Sequence, residues 1–119
     1  MENDRLYITI LLDFFGELLS EKQREYLGLY HNEDLSLSEI AEKAGVTKQG
    51  VYDVVTRAEK KLVSIEEKTG VVQRWLNTQS ELRQAEDAAA ELLSLSGPDA
   101  KSAELARKLV LAFERLKNQ

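Results

Sequence analysis

Cysteine is absent from the 119 residues, and proline and histidine occur once each. Without cysteine there is no disulfide framework and no thiol nucleophile, and one histidine cannot assemble a zinc site from the usual donors. A zinc site and a thiol nucleophile are therefore excluded, and with the enzyme motifs weighed below no catalytic residue, metal or cofactor is expected. A chain of this length buries about two thirds of its unfolded surface, so a core forms without a covalent staple. A long apolar run is missing too. The longest, residues 6–19, is broken by Asp13 and Glu17 and falls short of the roughly 18 to 20 residues that span a bilayer, so no membrane insertion is expected. The opening residues MENDR lack the positive start and apolar run of a secretory signal, which points to the cytoplasm. Basic charge is not in excess: 16 lysines and arginines stand against 21 acids, a net charge of −5. A basic nucleic-acid domain does not look like this overall. The deficit is local. Residues 1–34 hold eight acids and three bases, whereas the bases and acids are six and six over 35–70 and seven and seven over 71–119.

What is present is helical spacing of apolar residues almost from end to end, which predicts an all-α protein. The first helix is expected to start at Asp4 as N-cap and run to Gly16, with so many apolar residues that it belongs in a bundle centre or a subunit interface. Ser20 with Gln23 and Ser36 with Glu39 have the spacing of capping boxes, opening a second helix lined by Tyr26, Leu27, Leu29 and Tyr30 and a third over Leu37 to Lys43. Between them His31 to Asp34 reads as a polar turn. Gly45 ends the third helix and Thr47 caps a fourth, with Val51, Val54, Val55, Ala58 and Leu62 inward and a stop at Gly70. Two further helices, 71–95 and 99–117, are separated by Ser96-Gly97-Pro98-Asp99 and form a hairpin. Positions 71, 75, 78, 82, 85, 89 and 92 of the first make a seam of coiled-coil spacing, and Leu105, Leu109, Ala112, Phe113 and Leu116 make a matching face on the second. The hairpin, 71–119, is expected either to pack on residues 1–70 or to form a homodimer interface.

The informative stretch is Ile40 to Val54. Ala41, Gly45 and Val51 lie four and six residues apart between two short capped helices, the spacing of a helix-turn-helix: the alanine lets the second helix approach, the glycine permits the reversal, and Val51 and Val54 lock onto Ile40 and Ala44. At 100° per residue the outward face of the second helix is Gln49, Asp53, Thr56 and Lys60, flanked by Tyr52 and Arg57 and edged by Lys48 and Lys61. Amide and hydroxyl groups can address base edges and the cations phosphates, so Lys48, Gln49, Tyr52, Thr56, Arg57, Lys60 and Lys61 are the candidate nucleic-acid-binding residues. Asp53, in their midst, repels phosphate and accepts only from donors such as cytosine N4. Between Thr47 and Leu62 four cations face two carboxylates, Asp53 and Glu59, a modest positive footprint.

Residues 19–62, LSEKQREYLGLYHNEDLSLSEIAEKAGVTKQGVYDVVTRAEKKL, resemble region 4 of sigma factors. Extended back through LYITILLDFFGEL, the first two thirds of the chain resemble the YlxM family of small bacterial proteins, and the LLDFFGELLSEKQREYL portion sets that family apart from general sigma-like domains. The resemblance implies a sigma region 4-like helix-turn-helix bundle. It also implies a regulatory role in the signal recognition particle pathway, with the particle's RNA, or its protein or receptor, as partner. Relative to promoter-reading sigma domains, Tyr52 and Asp53 depart from the basic or amide types. The alanine-rich segment and the last helix lie outside the resemblance.

Enzyme readings fail one by one. No phosphate-binding GxxxxGK[ST] loop is present, so the chain is not itself a GTPase. His31, in a polar turn, reads as a surface histidine. Glu66-Glu67 and Glu86-Asp87 are adjacent on helices, so each pair diverges by about 100° and reads as a solvated face rather than an acid–base couple. Trp75, on the seam, reads as core or interface. The sequence thus predicts a non-enzymatic regulator binding RNA or duplex DNA. The alternatives are a sequence-specific transcription regulator and a protein-interaction scaffold whose acidic first third meets a basic partner.

Overall fold

The computed structural model describes residues 5–97 and 100–118, and within them every regular element is a helix. In chain order these are α1 (Arg5–Phe15), a 3-10 turn (Gly16–Leu18), α2 (Glu21–His31), α3 (Leu37–Ala44), α4 (Lys48–Thr69), α5 (Val71–Leu95) and α6 (Lys101–Lys117). The expected N-cap Asp4 and the break residues Pro98 and Asp99 lie outside the described residues.

Local chemistry sets the helix ends. Ser20 Oγ accepts from the Gln23 N–H and Gln23 Oε1 from the Ser20 N–H, both at 3.1 Å, so two amides that a helix start leaves orphaned are satisfied reciprocally. Ser36 and Glu39 repeat the arrangement at 3.0 Å. Hydrogen bonding to the Ser36 backbone, and secondarily to its hydroxyl, holds the Glu39 carboxyl below the usual carboxylate range. Thr47 Oγ1 accepts from the Gly50 N–H at 3.0 Å. Gly45 stops α3 in the left-handed conformation (φ 70°), and the Val46 N–H returns to the Ala41 carbonyl at 3.0 Å.

The chain divides into two compact units, residues 1–72 and 73–119. In the first, α4 packs against α1, α2 and α3. Its inward residues Val51, Val55, Ala58 and Leu62 recur at helical spacing and meet Ile8, Leu11, Leu27 and Ile40, all fully buried, in one core. Burial of each large aliphatic side chain there is worth about 1.5 to 3 kcal/mol. The first helix is less enclosed than its composition suggests. Ile8, Leu11, Leu12 and Phe15 are buried on one face, while Leu6 and Phe14 are exposed, because only three helices surround α4 and α1 occupies an outer position.

One reading of the joint between α4 and α5 is corrected. Glu66 is not on a solvated face: it is buried, and its Oε1 accepts from the Val72 N–H at 2.9 Å, while Thr69 Oγ1 accepts from the Val71 N–H at 3.4 Å, so the first two amides of α5 each have a side-chain acceptor. Burial, and then the nearby charges of Glu66 and Glu67, push the Tyr7 hydroxyl above its ordinary range.

In the second unit the buried residues are small: Ala89 on α5, and Ala103 and Ala106 on α6. Lys117 Nζ lies 2.8 Å from Glu86 Oε1, and the Ser102 hydroxyl donates to Ser96 Oγ at 3.0 Å, so Glu86 too has a specific partner. The expected seam is enclosed only in its middle, where Ala89 is buried and Leu82 and Ala85 are half-buried, and Val71, Trp75, Thr78 and Leu92 are exposed. On α6 the inward face is Ala103, Ala106, Val110 and Phe113. The leucines expected there, Leu105, Leu109 and Leu116, remain exposed, because the register follows the small alanines that fit between helices rather than the largest side chains.

Candidate functional site

The site is built on α3, the turn at Gly45 and α4. Ile40 and Ala41 of α3 are buried against Val51 and Val55 of α4, which fixes the second helix on the first. Ala44, expected to join this contact, is exposed: it is the last residue of α3, where the chain already turns outward toward Gly45.

With Val51, Val55, Ala58 and Leu62 inward, the opposite face of α4 is directed to water. Lys48, Gln49, Asp53, Arg57, Lys60 and Lys61 are exposed there, Tyr52 is 44% exposed, and Thr56 is half-buried. All seven candidate residues therefore fall on one helix, and Gln49, Tyr52, Thr56, Arg57 and Lys60 share, with Asp53, the walls of one hollow of about 310 Å³. Lys48 and Lys61 stand outside it. Gln49 Nε2 donates to Asp53 Oδ1 at 3.0 Å, one turn apart. The pair presents oxygens outward, the Gln49 carbonyl and the second carboxylate oxygen, so this part of the face offers acceptors. Among the described residues, none of Lys48, Arg57, Lys60 and Lys61 is paired with a carboxylate. Their charge remains available to an incoming anion.

Residues outside the sequence-derived set complete the surroundings. His31 is no surface residue: its side chain is 3% exposed, and Nε2 donates to Glu59 Oε1 at 2.7 Å, tying the end of α2 to the middle of α4. The polar turn is thus entered one residue later than expected, since His31 is the last residue of α2 and packs edge-on to the Tyr30 ring, with centroids 5.1 Å apart. Nothing in the sequence marks this pair, because its partners are 28 residues apart and meet only by packing. A second hollow of about 310 Å³, on the α2 and α3 side of Tyr52, is lined by Tyr30, Leu37, Tyr52, Val55, Thr56 and Glu59. Arg5, at the start of α1, ion-pairs with Asp34 at 2.8 Å, hydrogen-bonds the Tyr30 carbonyl and sits over the Tyr30 ring at 5.1 Å, which fixes that ring in place. Among the described residues no helix is long and apolar enough to cross a membrane, and no cluster of three His, Asp or Glu residues could hold a metal ion.

Comparison with known proteins agrees with this geometry. Residues 2–94 match a family described as "Putative helix-turn-helix protein, YlxM / p13 like". A UPF0122 protein of Thermoanaerobacter sp. (strain X514) is 49% identical over 74 residues, covering 62% of this chain and 63% of the relative. The chain is thus aligned with less than two thirds of that relative's length. A UPF0122 protein of Clostridium kluyveri (strain NBRC 12016) is 47% identical over 74 residues, covering 62% and 67% of the two chains. One of Clostridium botulinum (strain Alaska E43 / Type E3) is 35% identical over 96 residues, covering 81% of this chain and 88% of the relative. The helix-turn-helix that the spacing of Ala41, Gly45 and Val51 predicts is therefore the observed geometry and the feature that the family's description names: the chain belongs to the UPF0122 family of YlxM/p13-like helix-turn-helix proteins.

Proposed function

We propose that the chain is a non-enzymatic regulatory protein that binds nucleic acid through the outward face of α4 and acts in the signal recognition particle pathway, with the particle's RNA as the target. The observation that carries the binding is the set of cations Lys48, Arg57, Lys60 and Lys61, exposed on one helix and unpaired among the described residues. Neutralising two or three phosphates with them gives modest, salt-sensitive affinity. RNA is favoured over promoter DNA by the Gln49–Asp53 pair, whose outward oxygens place negative charge where a recognition helix in the major groove meets phosphates and mostly acceptor-rich base edges. The pathway itself rests on the resemblance to the YlxM family.

Fluorescence anisotropy with the particle RNA, an unrelated structured RNA and duplex DNA, at low and physiological salt, tests this reading. Selective binding to the particle RNA is expected, with log K falling against log[salt] at a slope of about −2 to −3. Lys60→Glu combined with Lys61→Glu is expected to abolish it. Unchanged affinity of that double variant removes α4 from the mechanism, and preference for the duplex returns the protein to transcription. We read the exposed Trp75, Leu92, Leu105 and Leu109 of the second unit as contacts of a homodimer, since so many large apolar side chains on two helices are costly to leave in water. Light scattering that gives the single-chain mass of 13.5 kDa at high micromolar concentration overturns it.

A further inference from the structure

The hollow between α2, α3 and α4 is not part of the outward cationic face, yet it shares Tyr52 and Thr56 with it. Its walls combine two kinds of chemistry. Tyr30 and Tyr52 supply two aromatic rings, Leu37 and Val55 supply aliphatic surface, and Thr56 and Glu59 supply polar groups. The exposed lining is more polar than apolar, so the rings offer a stacking surface beside fixed hydrogen-bonding groups, a combination that suits a small planar ligand with polar edges. Its volume, about 310 Å³, exceeds that of one nucleobase.

The polar end is selective. Glu59 Oε1 is committed to His31 Nε2 at 2.7 Å, and the His31 side chain is 3% exposed, so the carboxylate is held by a buried group and not free to swing into solvent. One oxygen, Oε2, is left as an acceptor. A single fixed acceptor matches the exocyclic amine of adenine or cytosine. It matches uracil poorly, because the one donor on that edge, N3–H, is flanked by two carbonyl oxygens that a carboxylate repels, and guanine only in part, because the paired N–H groups of guanine call for both oxygens. The cations Arg57 and Lys60 follow on the same helix, within reach of a flanking phosphate.

We propose that this hollow takes a single unpaired adenine or cytosine of an RNA loop or bulge, stacked on Tyr52 with Tyr30 behind it and donating its exocyclic amine to Glu59. The inference rests on the nucleic-acid reading of α4 and adds to it the feature that is read. Unstacked bases held on aromatic rings are the usual means of sequence-specific RNA recognition, and such stacking is sequence-tolerant until an edge contact is added. Here His31 acts through Glu59 as a positioning residue.

The test uses the full chain and a set of fluorescein-labelled RNA hairpins of one stem sequence, each with a single unpaired position that is adenine, cytosine, uracil or abasic. Anisotropy at low salt is expected to give affinities for the adenine and cytosine hairpins about tenfold above the abasic one, with uracil between them. Tyr52→Ala is expected to bring the adenine hairpin to the abasic affinity, and Tyr52→Trp to retain the preference, with melting curves showing both variants folded. Equal affinity of the wild-type protein for all four hairpins overturns the base-binding hollow while leaving backbone binding by α4 intact. If none of the hairpins binds at low salt, both readings fall together.

Discussion

Gly28→Ala and Gly45→Ala are the same chemical change in the same kind of space, and they are expected to move stability in opposite directions. A Cβ added at either position meets no heavy atom within 4 Å, so neither variant suffers a clash. Gly28 lies within α2, where its carbonyl accepts from the Asn32 N–H at 2.8 Å, a bond that a methyl group does not touch. Alanine there is expected to stabilise by about 0.8 to 1 kcal/mol through helix propensity. Gly45 sits at φ 70°, where an L side chain costs about 1 to 2 kcal/mol, only partly offset by the smaller entropy of the unfolded alanine chain. The net loss at Gly45 is about 1 kcal/mol, and the two variants should differ by about 2. The four tyrosines lie in the first unit and the tryptophan in the second, so urea unfolding followed by tyrosine fluorescence in a Trp75→Phe background reports the relevant unit. At an m value of about 1 to 2 kcal/mol per M, the midpoints should stand about 1 to 2 M apart, with Gly28→Ala the higher. A Gly45→Ala midpoint equal to or above that of Gly28→Ala would refute the assignment of Gly45 as a conformational stop.

Leu62→Ala empties a fully buried position in the core and is expected to cost about 2 to 5 kcal/mol in the same urea assay; a loss under 1 kcal/mol would mean that α4 is not the centre of the unit. Because the folded state lowers the Glu39 pKa, the stabilisation from its ionised form is present above the unfolded carboxyl value and is lost as pH falls through the lower, folded value. The melting temperature of the wild type should therefore converge on that of Glu39→Gln, which keeps an acceptor for the Ser36 amide, as pH is lowered from 7 toward 3, and a constant difference would exclude the charge as the cause. Glu66→Ala orphans the Val72 amide and is expected to destabilise the start of α5 by about 1 kcal/mol, read as faster hydrogen exchange at Val72. Glu66→Gln should largely retain protection, and equal exchange in all three proteins would mean that the carboxylate does not cap the helix.

The elements that could be read from the sequence are those whose cause is local. Ser20 with Gln23, Ser36 with Glu39, and Thr47 act within three residues, and Gly45 acts within its own peptide, so capping and turn chemistry sufficed to place α2, α3 and α4. The outward side of α4 followed from helical periodicity once its inward valines were identified. What could not be read depends on tertiary packing. His31 looks polar and solvated until Glu59 is brought beside it from 28 residues away, and Glu66 looks like half of a charged pair until Val72 turns back over it. The α6 register failed for a related reason. Periodicity weights the largest apolar residues, whereas Ala103 and Ala106 are the ones small enough to be enclosed.

The residues that aim α4 and the residues α4 displays scarcely overlap. Ser36, Glu39, Gly45 and Thr47 set its direction and Val51, Val55, Ala58 and Leu62 seat it, while Gln49, Asp53, Arg57 and Lys60 contribute to neither. Exchange of those four for other helix-forming residues therefore costs little in folding, no more than the Gln49–Asp53 hydrogen bond and helix propensity, and a chain with this frame can exchange its ligand without relearning how to fold. Tyr52 and Thr56 are coupled to α2 and α3 through the second hollow, so change comes less freely there. The frame is a chassis with four interchangeable contacts and two that are fixed to it.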